Sequence, residues 1–303
     1  MTQRAPSRQA HSLARIARLL RAPAPCTVDA VLKKEIPPMT TIPAPLPSGL
    51  VPPLPAEFAP VSDAMAALFL SPAVARLRKD LALALRAAAY HGLSEGVCNH
   101  FSVAIPGDDD KFLLNPRGLL WQEVQADDIV LVDKDGAKLA GRHPVEPTAM
   151  FIHAAMHRVA KKQVVLHCHS PYATTLTLTP QGMLSTTLSQ NAMRFHGRTA
   201  QDPHYNGLAL DHAEGERIAQ ATLGADVVFL ANHGVVVCGE RLDYAYEDLY
   251  FLERACQIEV QALSMGLGLR AVDPDIAQKT AVQLQGERLQ SELFFQALER
   301  TLP

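Results

Sequence analysis

The chain lacks the sequence features of several large classes of protein. Its 303 residues carry a net charge of −3, so the strongly basic composition typical of nucleic-acid binding is missing. No apolar run reaches the roughly 18 residues of a membrane span, and no apolar segment of a secretory signal is found at the amino terminus. The five cysteines are odd in number and form no C-x-x-C pair. We therefore expect a cytoplasmic protein without disulfides and without a nucleic-acid or membrane partner.

Residues 1–60 differ in composition from the rest of the chain. They are rich in Pro, Ala and Arg, and the first 21 residues contain no Asp or Glu. This composition predicts a disordered tail. Two alternatives stay open. One is a targeting peptide, because transit peptides are Arg-rich and poor in acidic residues. The other is a true translation start at Met39.

Beyond this tail, helix and strand patterns alternate irregularly and without an internal repeat. Helices are predicted over 64–70, 71–90, 148–158, 211–224, 242–265 and 273–298, and a helical or mixed segment over 171–178. Strands are predicted within 95–105, 111–114, 129–132, 163–168 and 226–238, with a hairpin tip at 108–110. Residues 193–206 are expected to form a loop with little regular structure. Since no Gly-rich phosphate loop is present, we predict a three-layer α/β/α domain over 61–268 with a mixed, mostly antiparallel sheet, followed by a C-terminal helical extension over 269–303.

One stretch, QVVLHCHSP at residues 163–171, combines a short buried strand with two histidines. Residues two apart on a strand point to the same face. His167 and His169 are therefore expected to project together at the strand end, with Cys168 turned the other way. The Ser-Pro dipeptide that follows is typical of a helix start. Two imidazoles at this spacing can bind a divalent transition metal, although two ordinary histidines near a strand end fit the same pattern.

A second stretch, DVVFLANHGVVVC at residues 226–238, repeats this arrangement. Two apolar runs flank Asn232-His233-Gly234, which predicts two strands joined by a tight turn. A third imidazole at the tip of that turn can complete a metal site with open positions, the arrangement of a catalytic rather than a structural metal. The alternative for His233 is a turn residue that merely tolerates a positive φ.

Five stretches together resemble the class II aldolase/adducin family over about residues 75–265. They are EGVCNHFSVAIP, FLLNPRGLLWQEV, PVEPTAMFIHAAMHR, VVLHCHS and ANHGVVVCGERLDYAYEDLYFLERACQIEVQA. The last stretch and the NPRGLLW loop are closer to the adducin-like branch than to the sugar-phosphate aldolases. The resemblance implies an α/β/α class II aldolase-like fold and a homotetramer whose active sites lie between neighbouring subunits.

The resemblance also implies a metal site of three histidines, which by motif match are His167, His169 and His233. Zn²⁺ is the expected ion, with Mn²⁺, Co²⁺ or Fe²⁺ as alternatives. In the aldolases the metal polarises an enediolate and a glutamate moves the proton. The position that matches this glutamate is Ala149, so the aldolase acid is missing here. Glu146, three residues earlier, either replaces it as a catalytic residue or is a solvated loop carboxylate.

The anion site of the aldolases is altered as well. Its Gly-Asn-x-Ser element survives as Asn99 and Ser102, and its Thr/Ser-Gly pair becomes Arg117-Gly118. Because arginine binds a carboxylate or phosphate through two hydrogen bonds, the Asn-Pro-Arg-Gly loop is expected to bind an anion. The expected substrate-binding residues are Asn99, Ser102, Asn115, Arg117 and Gly118.

Tyr205, in the DPHYNG stretch, matches a family tyrosine that precedes a glycine. It either protonates or orients the substrate as a catalytic residue, or it packs against the fold. The remaining histidines near the motifs, His100, His196, His204 and His212, are expected at the surface or behind the metal ligands.

Three functions fit these features. The first is a metal-dependent carbon–carbon lyase of the aldolase or decarboxylase type, acting on a small hydroxy- or keto-acid or a sugar-acid derivative. Either reaction produces an enolate that a metal can stabilise, and loss of the usual acid favours decarboxylation, which requires no removal of a hydroxyl proton. The second is a non-catalytic, adducin-like scaffold, which the retained histidines disfavour. The third is a sugar-phosphate epimerase.

Overall fold

The computed structural model describes residues 62–302. The tail expected over 1–60 and the alternative start at Met39 lie outside this range. Within it, the helices are α1 (Asp63–Phe69), α2 (Pro72–Tyr90), α3 (Pro147–Arg158), α4 (Pro171–Thr177), α5 (Gln190–Met193), α6 (His212–Ala221), α7 (Leu242–Ser264), α8 (Pro274–Gly286) and α9 (Arg288–Thr301). The strands are β1 (His100–Ile105), β2 (Asp108–Leu114), β3 (Val130–Asp133), β4 (Lys138–Ala140), β5 (Val164–Cys168), β6 (Thr199–Asp202), β7 (Val227–Leu230) and β8 (Gly234–Gly239). None of these helices is long and apolar enough to cross a bilayer.

The eight strands form a single sheet in the order β4-β3-β2-β1-β5-β8-β7-β6. Every neighbouring pair is antiparallel except β6 and β7, which run parallel. The expectation of a mixed, mostly antiparallel sheet is therefore confirmed.

Helices cover both faces of this sheet, because its strands alternate their apolar side chains between two cores. In β5, Leu166 and Cys168 belong to the larger core, which also holds buried residues of α2 and α7. Val165, the neighbour of Leu166 in the strand, belongs to the core under α3 and α6. A continuous apolar strand with helices on both sides is the pattern of a fully buried strand, and the α/β/α architecture is confirmed.

The register of the sheet places several strand termini at the same end of the strands. His100 at the start of β1 pairs with His167 near the end of β5, and Leu230 at the end of β7 pairs with Gly234 at the start of β8. We call this end of the sheet the histidine end. The opposite end, where β1 and β8 end and β5 begins, is called the far end.

Three local expectations were wrong. Residues 193–206, expected to be a loop, contain β6 on the edge of the sheet, whose polar TAQD sequence lacks a strand-like apolar pattern. The hairpin tip lies at Pro106-Gly107 rather than at 108–110, because Gly107 takes the left-handed φ of 78° that the turn requires. The single helix expected over 273–298 is two helices, α8 and α9, which meet at Glu287 directly after Gly286.

Candidate functional site

The imidazoles of His167, His169 and His233 lie together at the histidine end. Each offers one ring nitrogen, and the three nitrogens lie within 4.8 Å of one another. The ring centroids are 4.8 to 5.1 Å apart. His167 is the fourth residue of β5, His169 directly follows that strand, and His233 lies in the turn between β7 and β8. The structure thus brings together the three histidines that the two motifs predict.

The turn that carries His233 depends on its two neighbours. Asn232 takes a left-handed φ of 56°, a conformation that asparagine adopts more readily than most residues. A Cβ atom at Gly234 would lie 2.7 Å from the carbonyl oxygen of Cys168 and 2.8 Å from Cδ2 of His169. Glycine at position 234 therefore allows the third histidine to approach the other two.

Outer hydrogen bonds orient two of the rings. Nδ1 of His167 lies 3.0 Å from the carbonyl oxygen of Val235, and Nδ1 of His169 lies 2.5 Å from a carboxylate oxygen of Glu95. Both partners accept, so each Nδ1 carries the proton and each Nε2 presents a lone pair. The Nε2 of His169 is buried and has no hydrogen-bond partner. Histidines that bind metals are typically oriented by such partners, so this donor set fits a divalent transition metal.

Burial also favours the neutral, metal-binding form of the rings. It lowers the pKa of His167 well below its usual value. Burial, together with the charge of the neighbouring His169, lowers the pKa of His233 to about 4. At neutral pH both imidazoles are therefore uncharged.

Asn99 and Asn115, expected to bind substrate, form the support beneath His169. The Oδ1 of Asn99 accepts the backbone N–H of His169 at 2.6 Å, and Asn99 itself has a left-handed φ of 72°. Asn115 accepts from the N–H of Phe101 at 2.9 Å and donates to the carbonyl of Asn99 at 3.3 Å. The Nδ2 of Asn99 remains buried without a partner. Both side chains thus shape the backbone of the site.

A further support comes from Glu253 on α7, which the sequence analysis missed. Its carboxylate accepts the N–H groups of Tyr172 and Ala173 at 2.8 and 2.9 Å and so caps the first turn of α4. This helix begins two residues after His169. The signal in the sequence was an acidic residue on the buried face of a strongly periodic helix, where Glu253 is only 7% exposed.

His100, expected at the surface or behind the ligands, is buried at the centre of the histidine end. It is the direct cross-strand partner of His167, and the two rings stack with centroids 6.5 Å apart. Its Nε2 lies 3.5 Å from Oε2 of Glu146. Neither of its ring nitrogens has a hydrogen-bond partner. Burial lowers the pKa of His100 to about 4, so this ring is neutral as well.

Glu146 is the residue that caps α3. Its carboxylate accepts from the N–H of Ala149 at 2.9 Å and from the hydroxyl of Thr148. Its side chain is 25% exposed and faces His100. Glu146 is thus a capped carboxylate beside a buried imidazole rather than a solvated loop residue.

Ser102, expected to contact substrate, is fully buried within a chain of hydrogen bonds. Its Oγ lies 2.5 Å from Nδ1 of His153 and 2.7 Å from Nε2 of His157, whose Nδ1 lies 2.6 Å from the carbonyl of Lys162. The carbonyl can only accept, so His157 donates to it, Ser102 donates to His157, and His153 donates to Ser102. The hydroxyl is therefore occupied by two imidazoles and lies behind the site, not open to a ligand as expected.

Arg117 and Gly118 lie in the exposed loop that follows β2, at the same end of the sheet. The backbone N–H of Arg117 donates to the carbonyl of Pro144 at 3.0 Å, which ties this loop to the segment before α3. The guanidinium of Arg117 makes no ion pair with any residue in 62–302. It is therefore free to bind an external anion.

Tyr205 lies on the other side of the three histidines, with its ring centroid 6.2 Å from that of His233. Its side chain is about half exposed, and the next residue, Asn206, donates to Glu214 at 3.2 Å. Arg217 pairs with Glu214 and with Asp202 at the end of β6. These ion pairs, which the sequence analysis did not identify, hold the Tyr205 loop against α6.

The other histidines occupy separate positions. His204 lines a small cleft with Tyr205 and His233. His196 contacts the hydroxyl of Thr186. His212 is exposed at the start of α6 and packs edge-on against Phe151.

Several known proteins are similar to this chain in sequence or in fold. A protein of Pseudomonas aeruginosa named as an aldolase class 2 protein is 36% identical over 63% of this chain and 73% of its own length. A Streptomyces niveus protein named as a decarboxylase is 29% identical over 70% of this chain and 77% of its own. Among solved structures, an aldolase II superfamily protein from Pseudomonas syringae superposes with a TM-score of 0.71 at 32% identity, covering 78% of this chain and 96% of that one. L-fuculose 1-phosphate aldolase from Glaciozyma antarctica gives a TM-score of 0.66 at 26% identity, covering 80% and 94%.

The family profile described as "Class II Aldolase and Adducin N-terminal domain" matches residues 79–260, a range that begins in α2 and ends in α7. It contains every strand of the sheet and all three clustered histidines. The chain therefore belongs to the class II aldolase/adducin family.

Proposed function

We propose that the protein is a divalent-metal-dependent carbon–carbon lyase, of the aldolase or decarboxylase type, that acts on a small hydroxy- or keto-acid or a sugar-acid derivative. The observation that carries this proposal is the cluster of His167, His169 and His233, in which outer partners hold Nδ1 of two rings and leave Nε2 free. The relatives named as an aldolase and as a decarboxylase support the reaction class.

His167, His169 and His233 would hold the ion, and we propose Zn²⁺, with Mn²⁺, Co²⁺ or Fe²⁺ as alternatives. Three nitrogen ligands with an open position are typical of catalytic zinc sites. When bound, the ion supplies Lewis-acid stabilisation of the negative charge that develops on the substrate oxygen.

We assign the other roles in binding and proton transfer to residues around the cluster. Glu146 faces the buried His100 and is the general acid/base that stands in for the acid missing at Ala149. Arg117, with an unpaired guanidinium, binds the carboxylate or phosphate of the substrate, together with Gly118 and the unpartnered Nδ2 of Asn99. Tyr205, beside His233, orients the substrate from the opposite side.

The exposure of Arg117 and Tyr205 supports an assembly in which another subunit closes the site. We propose a cytoplasmic homotetramer with active sites between neighbouring subunits, as the family resemblance implies. Light scattering of the purified protein measures this assembly directly, and a monomer in solution would contradict it.

Metal analysis followed by a substrate screen tests the proposed function. Purified protein is expected to contain about one divalent ion per chain, and the His167→Ala/His169→Ala variant close to none, because two of three ligands are gone. The exposed His212→Ala is the matched control and should keep the ion. Keto and hydroxy acids are then screened for release of CO₂ or aldehyde. Full metal occupancy in the double variant, or no turnover of any acid by metal-loaded protein, would contradict the proposal.

A further inference from the structure

Both ring nitrogens of His100 are buried and lack a partner, although the residue lies at the centre of the candidate site. A buried polar atom without a hydrogen bond destabilises a fold unless something satisfies it. A neutral imidazole has one N–H donor and one lone pair, so His100 retains unused capacity for both kinds of hydrogen bond. This capacity lies next to His167, a member of the three-histidine cluster, and next to Glu146.

The separation of His100 and Glu146 suits a single bridging atom. Nε2 of His100 and Oε2 of Glu146 are 3.5 Å apart, which is longer than an ordinary hydrogen bond of about 2.9 Å. An oxygen atom at about 2.8 Å from each can accept from the imidazole N–H and donate to the carboxylate. A hydroxyl group does both. A carboxylate or phosphate oxygen cannot donate, and Glu146 would repel it.

Both sides of this bridge are held in place before any ligand arrives. His153 packs edge-on against His100 with ring centroids 5.9 Å apart, and its own ring is fixed through Ser102. Glu146 is fixed by its bonds to α3, since it accepts the N–H of Ala149. The arrangement is therefore preorganised, which reduces the entropy lost on binding.

We propose that His100 and Glu146 form a hydroxyl-binding subsite beside the three-histidine cluster, and that the substrate is an acid that carries a hydroxyl group. This inference rests on the proposed function and narrows its substrate class. Within the lyase reactions it favours aldol cleavage over decarboxylation. The hydroxyl proton passes to the carboxylate of Glu146, and the O–H electron pair forms the new C=O bond of the leaving aldehyde. The pair of the broken C–C bond remains on the acid fragment, which then takes the proton back from Glu146.

Binding of two matched acids to the metal-loaded protein tests the subsite without requiring turnover. Calorimetry compares 3-hydroxypropanoate with propanoate, which differ in the hydroxyl. The wild type is expected to bind the hydroxy acid roughly tenfold or more tightly, the effect of a hydrogen bond to a charged group. His100→Gln and Glu146→Gln should each bring the ratio close to one. Their double variant should lose no more, because one oxygen bridges both residues. His212→Gln, which alters an exposed imidazole on α6, should keep the full preference.

The other outcomes separate the two proposals. Equal binding of both acids by the wild type, a preference that survives in both single variants, or loss of the ion from His100→Gln would overturn the subsite. If His100→Gln does not fold, Glu146→Gln decides alone, since glutamine keeps an acceptor for the cap of α3. A clear hydroxyl preference without turnover of any acid would remove the lyase function and leave the subsite in place. Turnover of an acid without a preference for the hydroxyl group would remove the subsite and leave the lyase function in place.

Discussion

The two ends of strands β1, β5 and β8 differ in how their polar side chains are paired. At the far end, a broad cleft is lined by charged residues that pair with one another. Nε of Arg76 lies 2.9 Å from Oδ1 of Asp80, and Nη2 of Arg241 lies 2.6 Å from Oδ2 of Asp243. At the histidine end, nitrogens of His100, His153 and His169 are buried without any partner.

This difference separates two criteria for choosing a candidate site, the shape of the surface and the pairing of its polar groups. Ion pairs within the far-end cleft already satisfy its guanidinium groups, so it offers little to a ligand. An unpartnered buried group costs about 1–3 kcal/mol, and a bound ion or substrate can recover that cost. The unsatisfied nitrogens therefore favour the histidine end, rather than the far-end cleft, as the candidate site.

The largest expected difference between the two ends is in turnover. Glu146→Gln should reduce kcat by about 10²–10⁴, because a general acid/base is lost, while metal content stays unchanged. Glu292→Gln, which removes a carboxylate that pairs with Arg241 at the far end, should leave kcat as it is. Steady-state kinetics and metal analysis of both variants measure this. An unchanged kcat in Glu146→Gln would contradict this role, and proton transfer would then be assigned to Tyr205.

A second expected effect is a loss of folding stability at acidic pH, caused by a buried histidine behind the histidine end. Burial holds the pKa of His157 at about 4, below its ordinary value of 6.5, so the unfolded chain binds the extra proton first. The stability from this neutral ring is fully present above pH 6.5 and is lost as the pH falls toward 4. The total loss is about 3 kcal/mol for one such group. Urea unfolding of the wild type and His157→Gln at pH 7 and 5 measures it. Parallel losses in the two proteins would show that His157 is not responsible.

The smallest expected difference compares two arginines. Arg117→Ala should raise KM for an acidic substrate about ten- to a hundredfold, because it removes a hydrogen bond to a charged group, and metal content should not change. Arg241→Ala breaks exposed ion pairs at the far end and should cost less than about 1 kcal/mol of stability with no change in KM. If the two variants have the same KM, the substrate is not held through its anion.

Local patterns were sufficient where short-range geometry decides the outcome. Alternation along β5 predicted that His167 and His169 project together, and Asn232 with Gly234 predicted the turn that carries His233. The capping pattern predicted the start of α6 at Asp211, which accepts the N–H of Glu214. In each case the residues that determine the structure are adjacent in sequence.

Local sequence patterns could not predict contacts between residues that are distant in sequence. His100 was assigned either to the surface or to a position behind the ligands, and its burial beside His167 excludes only the surface; that choice depends on which strands become neighbours. Glu253 acts on the start of α4 from 80 residues away. Ser102 matches a family motif, yet two histidines of α3 occupy its hydroxyl. None of these partners is visible in a window of local sequence.

Gly234 shows that a cluster of histidines can depend on a residue that offers no ligand atom. Because a Cβ there would collide with the carbonyl of Cys168 and the ring of His169, any side chain at this position must displace the backbone at Cys168 or the His169 imidazole. In a library of random substitutions selected only for metal retention, position 234 would therefore be as intolerant as the histidines themselves. The absence of a side chain at position 234 is therefore as much a condition for the cluster as the three imidazoles themselves.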